Sequence, residues 1–331
     1  MDFDLNDEQR EIKNTARELL AARFTPARVR ELAEAGAYDD ALWSEISELG
    51  WPGIAIGEEH GGLGLGIVEL ALLSEELGYA CAPVPFLSNA AAGLVVAIAG
   101  SEAQQADRLP GIAAGTALGA CSAGRDSSLV TDADSATVIA LELDGAPVLV
   151  ERENAQVERL DLIDRTRSYC AVSTEGPGDP LPGPVEQAAD RIAVILAAEL
   201  VGIAQRAMEM AVDYAKERQQ FGRPIGSFQA VSHRCAEMLY EVEESRSLTL
   251  AAAWTADAEP EALPLAASMA KARASEAAWR VCTSSLQVHG GIGFTWEHDL
   301  QFWLKRATLD AKLFGDADAH RERVAALSGL G

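Results

Sequence analysis

The sequence predicts a mainly α-helical chain with a small β-domain set between two helical parts, and three observations carry that prediction. Long alanine- and leucine-rich segments with apolar residues at helical spacing fill the first third and the last part of the chain. Between them, from Thr116 to about residue 175, short runs rich in valine and isoleucine alternate with turn pairs such as Asp144-Gly145. Hydrophobic residues make up 48% of the 331 and aromatics only 6%, so the core is aliphatic and alanine-rich, a composition that favours helix. The predicted organisation is an N-terminal helical domain over 1–114, a reduced β-domain over 115–180 and a C-terminal four-helix bundle over 181–331.

The first helix spans about 4–22, where Asn6 caps, acidic residues fill the first turn and Ile12, Ala16, Leu19 and Leu20 repeat at helical spacing. A second covers about 38–49 through Leu42, Ile46 and Leu49. The glycine-rich run from Gly50 to Gly64 reads first as a structural turn, with a phosphate loop as the weaker alternative. Helix returns over 67–79, breaks at Ala82-Pro83-Val84-Pro85, and continues over 86–99 and 101–113. Strand character marks Thr137–Leu143, Val148–Glu151 and Tyr169–Ser173. The Gly/Pro run from Glu175 to Pro184 is a linker. Helices then follow at about 186–219, 228–257, 262–288 and 298–313, with short connections that suit an antiparallel bundle.

A formal charge of -24 argues against DNA or RNA as a partner. The five cysteines (Cys81, Cys121, Cys170, Cys235 and Cys282) are scattered, without a C-x-x-C pair, and read as reduced core residues. The acidic, polar start carries no leader pattern, and Ala90–Ala99 is too short to span a membrane. A soluble cytoplasmic protein is expected. His233, His298 and His320 have no spaced ligand partners, so no metal site is expected. Glu241, Glu243, Glu244 and Arg246 read as an exposed helix face with local ion pairs.

Two connections in the bundle carry more than a turn needs. Residues 217–229 place two arginines, two phenylalanines, two glycines, a proline and three glutamines between two helices. Arginine forks suit phosphate oxygens, and glycines let backbone N–H groups approach an anion. The plain alternative is a helix end at Gly222 with Ser227 capping the next helix. In the second connection, Gln287-Val288-His289-Gly290-Gly291-Ile292-Gly293-Phe294 ends a helix in a Gly-Gly-x-Gly loop, with His289 read as a packing residue.

Together these runs, E-R-x-x-F-G-x-P-x-x-x-x-Q at 217–229 and Q-V-H-G-G-x-G-F at 287–294, resemble the acyl-CoA dehydrogenase family. Supporting matches are Glu59–Gly64, Gly202–Ala207, Leu304–Ala307 and Asp310–Lys312, so the resemblance spans nearly the whole chain. It implies FAD as cofactor and removal of an α-proton and a β-hydride from an acyl-CoA thioester. It also implies that Arg218, Phe221 and Gln229, with Gln287, Gly290 and Gly291, contact the diphosphate or adenosine of an FAD held by a neighbouring subunit. Electrons would pass to an electron-transferring flavoprotein.

Two parts of the family pattern are missing. The segment that cradles the flavin ring, usually Y-x-x-T-E-P-x-x-G-S-D, reads Ala117-Leu118-Gly119-Ala120-Cys121-Ser122-Ala123-Gly124-Arg125-Asp126. The catalytic glutamate of the Y-E-G-T-S segment is replaced by Gly315, and the alternative base position, near Ile192, holds no carboxylate. Proton abstraction needs a carboxylate within hydrogen-bond reach, and only Asp316 or Glu199 is near enough in sequence to stand in. Hence no catalytic residue is assigned. The favoured expectation is a degenerate subunit of a heterotetramer completed by a paralogous catalytic chain. The alternatives are a self-sufficient homo-oligomer with an atypical base, and a flavin-free structural member of the fold. Bulky sterol side-chain thioesters are the substrate suggestion.

Overall fold

The computed structural model describes residues 4–122, 129–143 and 145–330. Helices α1 (Asp7–Arg23), α2 (Pro26–Ala35), α3 (Asp40–Glu48), α4 (Ile67–Ala80), α5 (Phe86–Ala99) and α6 (Glu102–Ala113) form the first part. Asn6 caps α1 through a reciprocal box with Gln9, as the sequence predicts. α2 was not expected; Thr25 caps it, Pro26 occupies its first turn, and it buries Val29, Leu32 and Ala33. The run 50–64 folds into two single 3₁₀ turns. A Cβ on Gly62 would fall 2.1 Å from the Ile56 carbonyl oxygen, so that glycine serves backbone packing.

Two small sheets follow. β1 (Gly119–Cys121), β3 (Val138–Leu143), β4 (Ala146–Glu151) and β7 (Asp179–Pro180) form one, with β1 parallel to β3 and the remaining pairs antiparallel. β2 (Leu129–Thr131), β6 (Tyr169–Thr174) and β5 (Ala155–Arg159) form the other, fully antiparallel. Val130, Ile139, Leu141, Val148, Val150 and Val172 make a separate apolar core for this part. Asp144 and residues 123–126 of the expected ring-cradling segment lie outside the described residues.

The last part is built on α7 (Val185–Glu217), α8 (Gln229–Ala258), α9 (Leu263–His289) and α10 (Leu300–Asp310). An additional helix, α11 (Ala317–Leu327), packs against α9. It was not anticipated: among its residues only His320 is buried, so there is no apolar stripe to read. α7 is the central element, buried along most of its length and packed on α4, α8, α9 and α10. Its approach to α4 is backbone to backbone. A Cβ on Gly202 would meet the Glu75 carbonyl oxygen at 1.9 Å, and one on Gly78 the Glu199 carbonyl oxygen at 2.2 Å. Only glycine fits on either side of this crossing.

The three parts meet at a buried ionic network. The Arg167 guanidinium donates to both Glu199 carboxylate oxygens (2.8 and 3.0 Å) and to Asp310 Oδ1 (2.6 Å). Arg306 donates to the carbonyls of Ala82 (3.0 Å) and Thr166 (2.7 Å), with Asp164 at 3.7 Å. Arg306 is 1% exposed and Asp310 fully buried. Burial pushes the Asp310 carboxyl up to about 7 against the opposing pull of Arg167. Breaking such a set by removing one partner strands a buried charge and costs about 3–5 kcal/mol. Arg167→Met is therefore expected to destabilise the chain by about that amount, read from the urea midpoint at constant m-value.

The carboxylates of α8 differ from expectation. Arg273 of α9 pairs with Glu241 (2.6 Å) and Glu244 (2.5 Å), and Arg246 reaches Glu75 of α4 (3.0 Å). These are bridges between helices, partly shielded from water. Only the Arg246–Glu243 pair is local to one helix.

Candidate functional site

The predicted site residues converge at one end of the bundle. α7 ends at Glu217, with Arg218 as its C-cap; Gly222 does not end it, as the plain reading supposed. Residues 219–224 form a short hairpin, β8 (Gln219–Gln220) and β9 (Arg223–Pro224). Its two turn residues both have positive φ, Phe221 at 54° and Gly222 at 78°, the combination a type I′ turn requires. Glycine adopts this freely; a phenylalanine there costs about 1–2 kcal/mol. Phe221 is nonetheless 91% exposed, so the strain is not offset by burial. Its ring meets Phe228 edge-on at 6.0 Å, and Arg223 stacks over Phe228 at 4.2 Å. Ser227 donates to the Pro224 carbonyl, while Phe228 holds the N-cap position of α8, so the expected Ser227 cap is not formed. Gln229 opens α8 and is exposed.

The second loop lies alongside. Gln287 is exposed on the last turn of α9, and residues 290–294 form a 3₁₀ turn. Gly290 has φ 63°, and a Cβ on Gly290 or Gly291 would meet nothing within 4 Å, leaving that backbone open to an incoming group. His289 is buried and packs on Tyr214, one turn before Arg218, at 4.7 Å between ring centroids. This contact joins the two loops and bears out the packing role. His289 Nδ1 lies 2.8 Å from the Ser285 carbonyl oxygen, and its ring stands 4.3 Å from that of His298. His298 Nδ1 accepts the Leu300 N–H (3.2 Å) at the start of α10. Arg218 is exposed, and its guanidinium has no hydrogen-bond or ion-pair partner among the described residues. An uncommitted arginine, bare glycine backbone and an exposed phenylalanine fit a diphosphate joined to an aromatic base.

The position expected to hold a base is built differently. Phe314 and Gly315 both have positive φ, 55° and 97°. Lys271, fully buried, donates to the carbonyls of Asp310, Ala311 and Gly315 (3.2, 3.2 and 3.1 Å) and pins this turn. Burial lowers the Lys271 ammonium to about 7. A Cβ at Gly315 would lie 3.1 Å from His320 Nε2, which contacts the Phe314 carbonyl at 3.0 Å. Neither stand-in carboxylate is free. Glu199 is held by Arg167 and Arg306. Asp316 caps α11, and its hydrogen bonds to Lys312 and the Ala319 N–H hold it down at about 2, far below a useful base.

Beside Phe314 lies a mainly apolar cavity of about 110 Å³, lined by Cys121, Ala140, Leu181 and Ile192, with the carboxylates Glu142 and Glu186 also on its wall. Pockets that hold a cofactor or drug-sized ligand run to about 300–1,000 Å³. Sequence reasoning missed the Lys271 contacts because they join residues about 40 positions apart, and the His320 contact because it depends on the left-handed turn at 314–315.

The scaffold is thus two helical parts flanking a small sandwich, with paired glycine loops at one bundle end. The N-terminal domain model of acyl-CoA dehydrogenases matches residues 6–116 and the C-terminal domain model residues 186–328, so the chain belongs to the acyl-CoA dehydrogenase family of FAD-dependent oxidoreductases. It is 35% identical over 309 residues to acyl-CoA dehydrogenase IpdE2 of Mycobacterium tuberculosis, covering 93% of each chain. To IpdE2 of Mycolicibacterium smegmatis it is 32% identical, covering 94% of this chain and 96% of that one. Among solved structures, the Tcur3481-Tcur3483 steroid ACAD G363A variant superposes with a TM-score of 0.90 at 27% identity, covering 98% of both chains.

Two outcomes follow from the loop geometry. Phe221→Gly should raise the stability of the chain alone by about 1 kcal/mol by relieving the turn, seen as a higher urea midpoint. Burial depresses the pKa of His289 and of His298 below the usual histidine value. The unfolded chain therefore takes up these protons first, and stability is full above about pH 6.5 and falls as pH drops below it. His289→Phe should flatten that fall, measured as Tm at pH 7.5 against pH 5.5.

Proposed function

We propose that this chain is the non-catalytic subunit of a hetero-oligomeric acyl-CoA dehydrogenase, lending half a cofactor site to a paralogous catalytic partner. The observation that carries this reading is the contrast between the two ends of its own machinery. At position 315 a glycine at φ 97° sits against His320 where the family pattern has its glutamate. At the other end Arg218, Phe221 and the Gly290-Gly291 backbone stand exposed and uncommitted.

FAD, when bound, supplies the hydride acceptor for β-carbon oxidation of the thioester. In this chain Arg218 would pair with the diphosphate through a charged fork, and the backbone at Gly290 and Gly291 would come close to it. Phe221 would wall the adenosine, with Gln229 and Gln287 donating or accepting at its polar edges. Proton abstraction would fall to the partner's base, since glycine stands at 315 and isoleucine at 192, and the neighbouring Asp190 is held by Arg323. The narrow cavity beside Phe314 supports the same division of labour.

A steroid-derived acyl-CoA is the substrate class favoured, because the structural relative named above is the Tcur3481-Tcur3483 steroid ACAD variant. Another structural relative is associated with an electron transferring flavoprotein of Acidaminococcus fermentans, which supports such a protein as electron acceptor. No helix among the described residues is long and apolar enough to cross a membrane, in keeping with a cytoplasmic setting.

Co-expression with the partner subunit is expected to yield a yellow complex that bleaches anaerobically with acyl-CoA, while the chain alone carries no flavin. Arg218→Ala should weaken FAD retention about tenfold or more in that complex, as loss of a charge-assisted contact implies. A stoichiometric flavin that bleaches with the chain alone would overturn the proposal, as would unchanged retention in Arg218→Ala.

A further inference from the structure

A pocket of about 280 Å³ opens between α1, α2, α4, α7 and α10, and shares no lining residue with the cavity beside Phe314. Its walls are largely apolar, from Leu20, Phe24, Pro26, Ala80 and Trp303. The indole is fixed by its Nε1–H donating to the Tyr79 carbonyl (2.9 Å), so this wall is set before any ligand arrives.

The charges around it do not balance. Glu76 is taken up by Arg17 in a bidentate pair and by Lys13 at 3.8 Å. Glu209, one turn along α7 from Arg206, is occupied by the Tyr79 hydroxyl and the Gln205 amide. Arg206 itself is half-buried and lines the pocket, with no hydrogen-bond or ion-pair partner among the described residues. Its guanidinium carbon lies 5.5 Å from the Tyr79 ring centroid and 5.9 Å from that of Trp303. These faces attract a cation only weakly at that range and leave its N–H groups free. Thr25 and Pro26 bring the N-terminal end of α2 to the same pocket, and that first turn carries no acidic residue. A helix N-terminus adds a further fraction of positive charge.

A partly desolvated, unpaired arginine beside a helix N-terminus, facing fixed aromatic and aliphatic walls, calls for an anion on an apolar body. We propose that this pocket binds a small apolar carboxylate, its carboxylate paired with Arg206 and its hydrocarbon part against Phe24, Leu20 and Trp303. The planar guanidinium fork matches a carboxylate better than a point charge does. The site asks nothing of the flavin or of the partner subunit, so it stands or falls apart from the function proposed above.

The test is calorimetric titration of the full-length chain, with its partner if the two co-purify, using cyclohexanecarboxylate, the neutral cyclohexanecarboxamide and inorganic phosphate. The acid is expected to bind saturably and at least about tenfold more tightly than the amide or phosphate, the scale of one charge-assisted pair. Arg206→Leu should remove that preference, and Arg206→Lys should keep part of it. Absence of saturable acid binding, or equal affinity for acid and amide, overturns the proposal. So does phosphate binding as tightly as the acid, or an Arg206→Leu chain of unchanged Tm that still prefers the acid. If Arg206→Leu does not fold, the acid-to-amide ratio on the unaltered chain decides.

Discussion

Arg167 and Arg306 tie this molecule together at a place where all three of its parts meet. They face Glu199 from the central helix, Asp310 from α10 and Asp164 from the β-domain, out of reach of water. Burying such charges costs several kcal/mol per ion, and their attraction repays it only when the set is complete. The value of the set is therefore in arrangement more than in stability. It fixes the azimuth of α10 against α7 and seats the loop before β6. Through α10 it also sets the turn that Lys271 grips.

The long helices were legible because each buries a stripe at helical spacing, and α7 buries nearly all round. The small sandwich was legible from its valine-rich runs and turn pairs. What stayed hidden depends on pairing across distance. Arg167 and Asp310 are 143 positions apart, and no local pattern in either neighbourhood announces the other. α2 carried a legible start in Thr25-Pro26 and buries Val29, Leu32 and Ala33 at helical spacing, signals that were overlooked among its charged residues. α11 has almost no buried face.

In the loop pair, the residues were readable and their geometry was not. The run from Arg218 to Gln229 stood out by composition, and so did the glycines at 290 and 291. That Phe221 occupies a left-handed turn position could not be read, because phenylalanine has no preference for it and the usual signal, Asn-Gly, is absent. Nor does sequence spacing reveal that Tyr214 and His289 bring the two loops to one face. The strained exposure of Phe221 is informative for that reason: strain kept without burial points to a contact made outside the chain.

The turn at Gly315 limits what substitution can do there. A side chain placed there meets a backbone angle that L-residues rarely adopt and, at 3.1 Å, the imidazole of His320. Lys271 holds the Gly315 carbonyl from α9. A glutamate introduced at 315 would thus be a misplaced carboxylate in a strained turn. Seating one there would need the turn, His320 and position 315 to move together, so no single substitution can convert this site by itself.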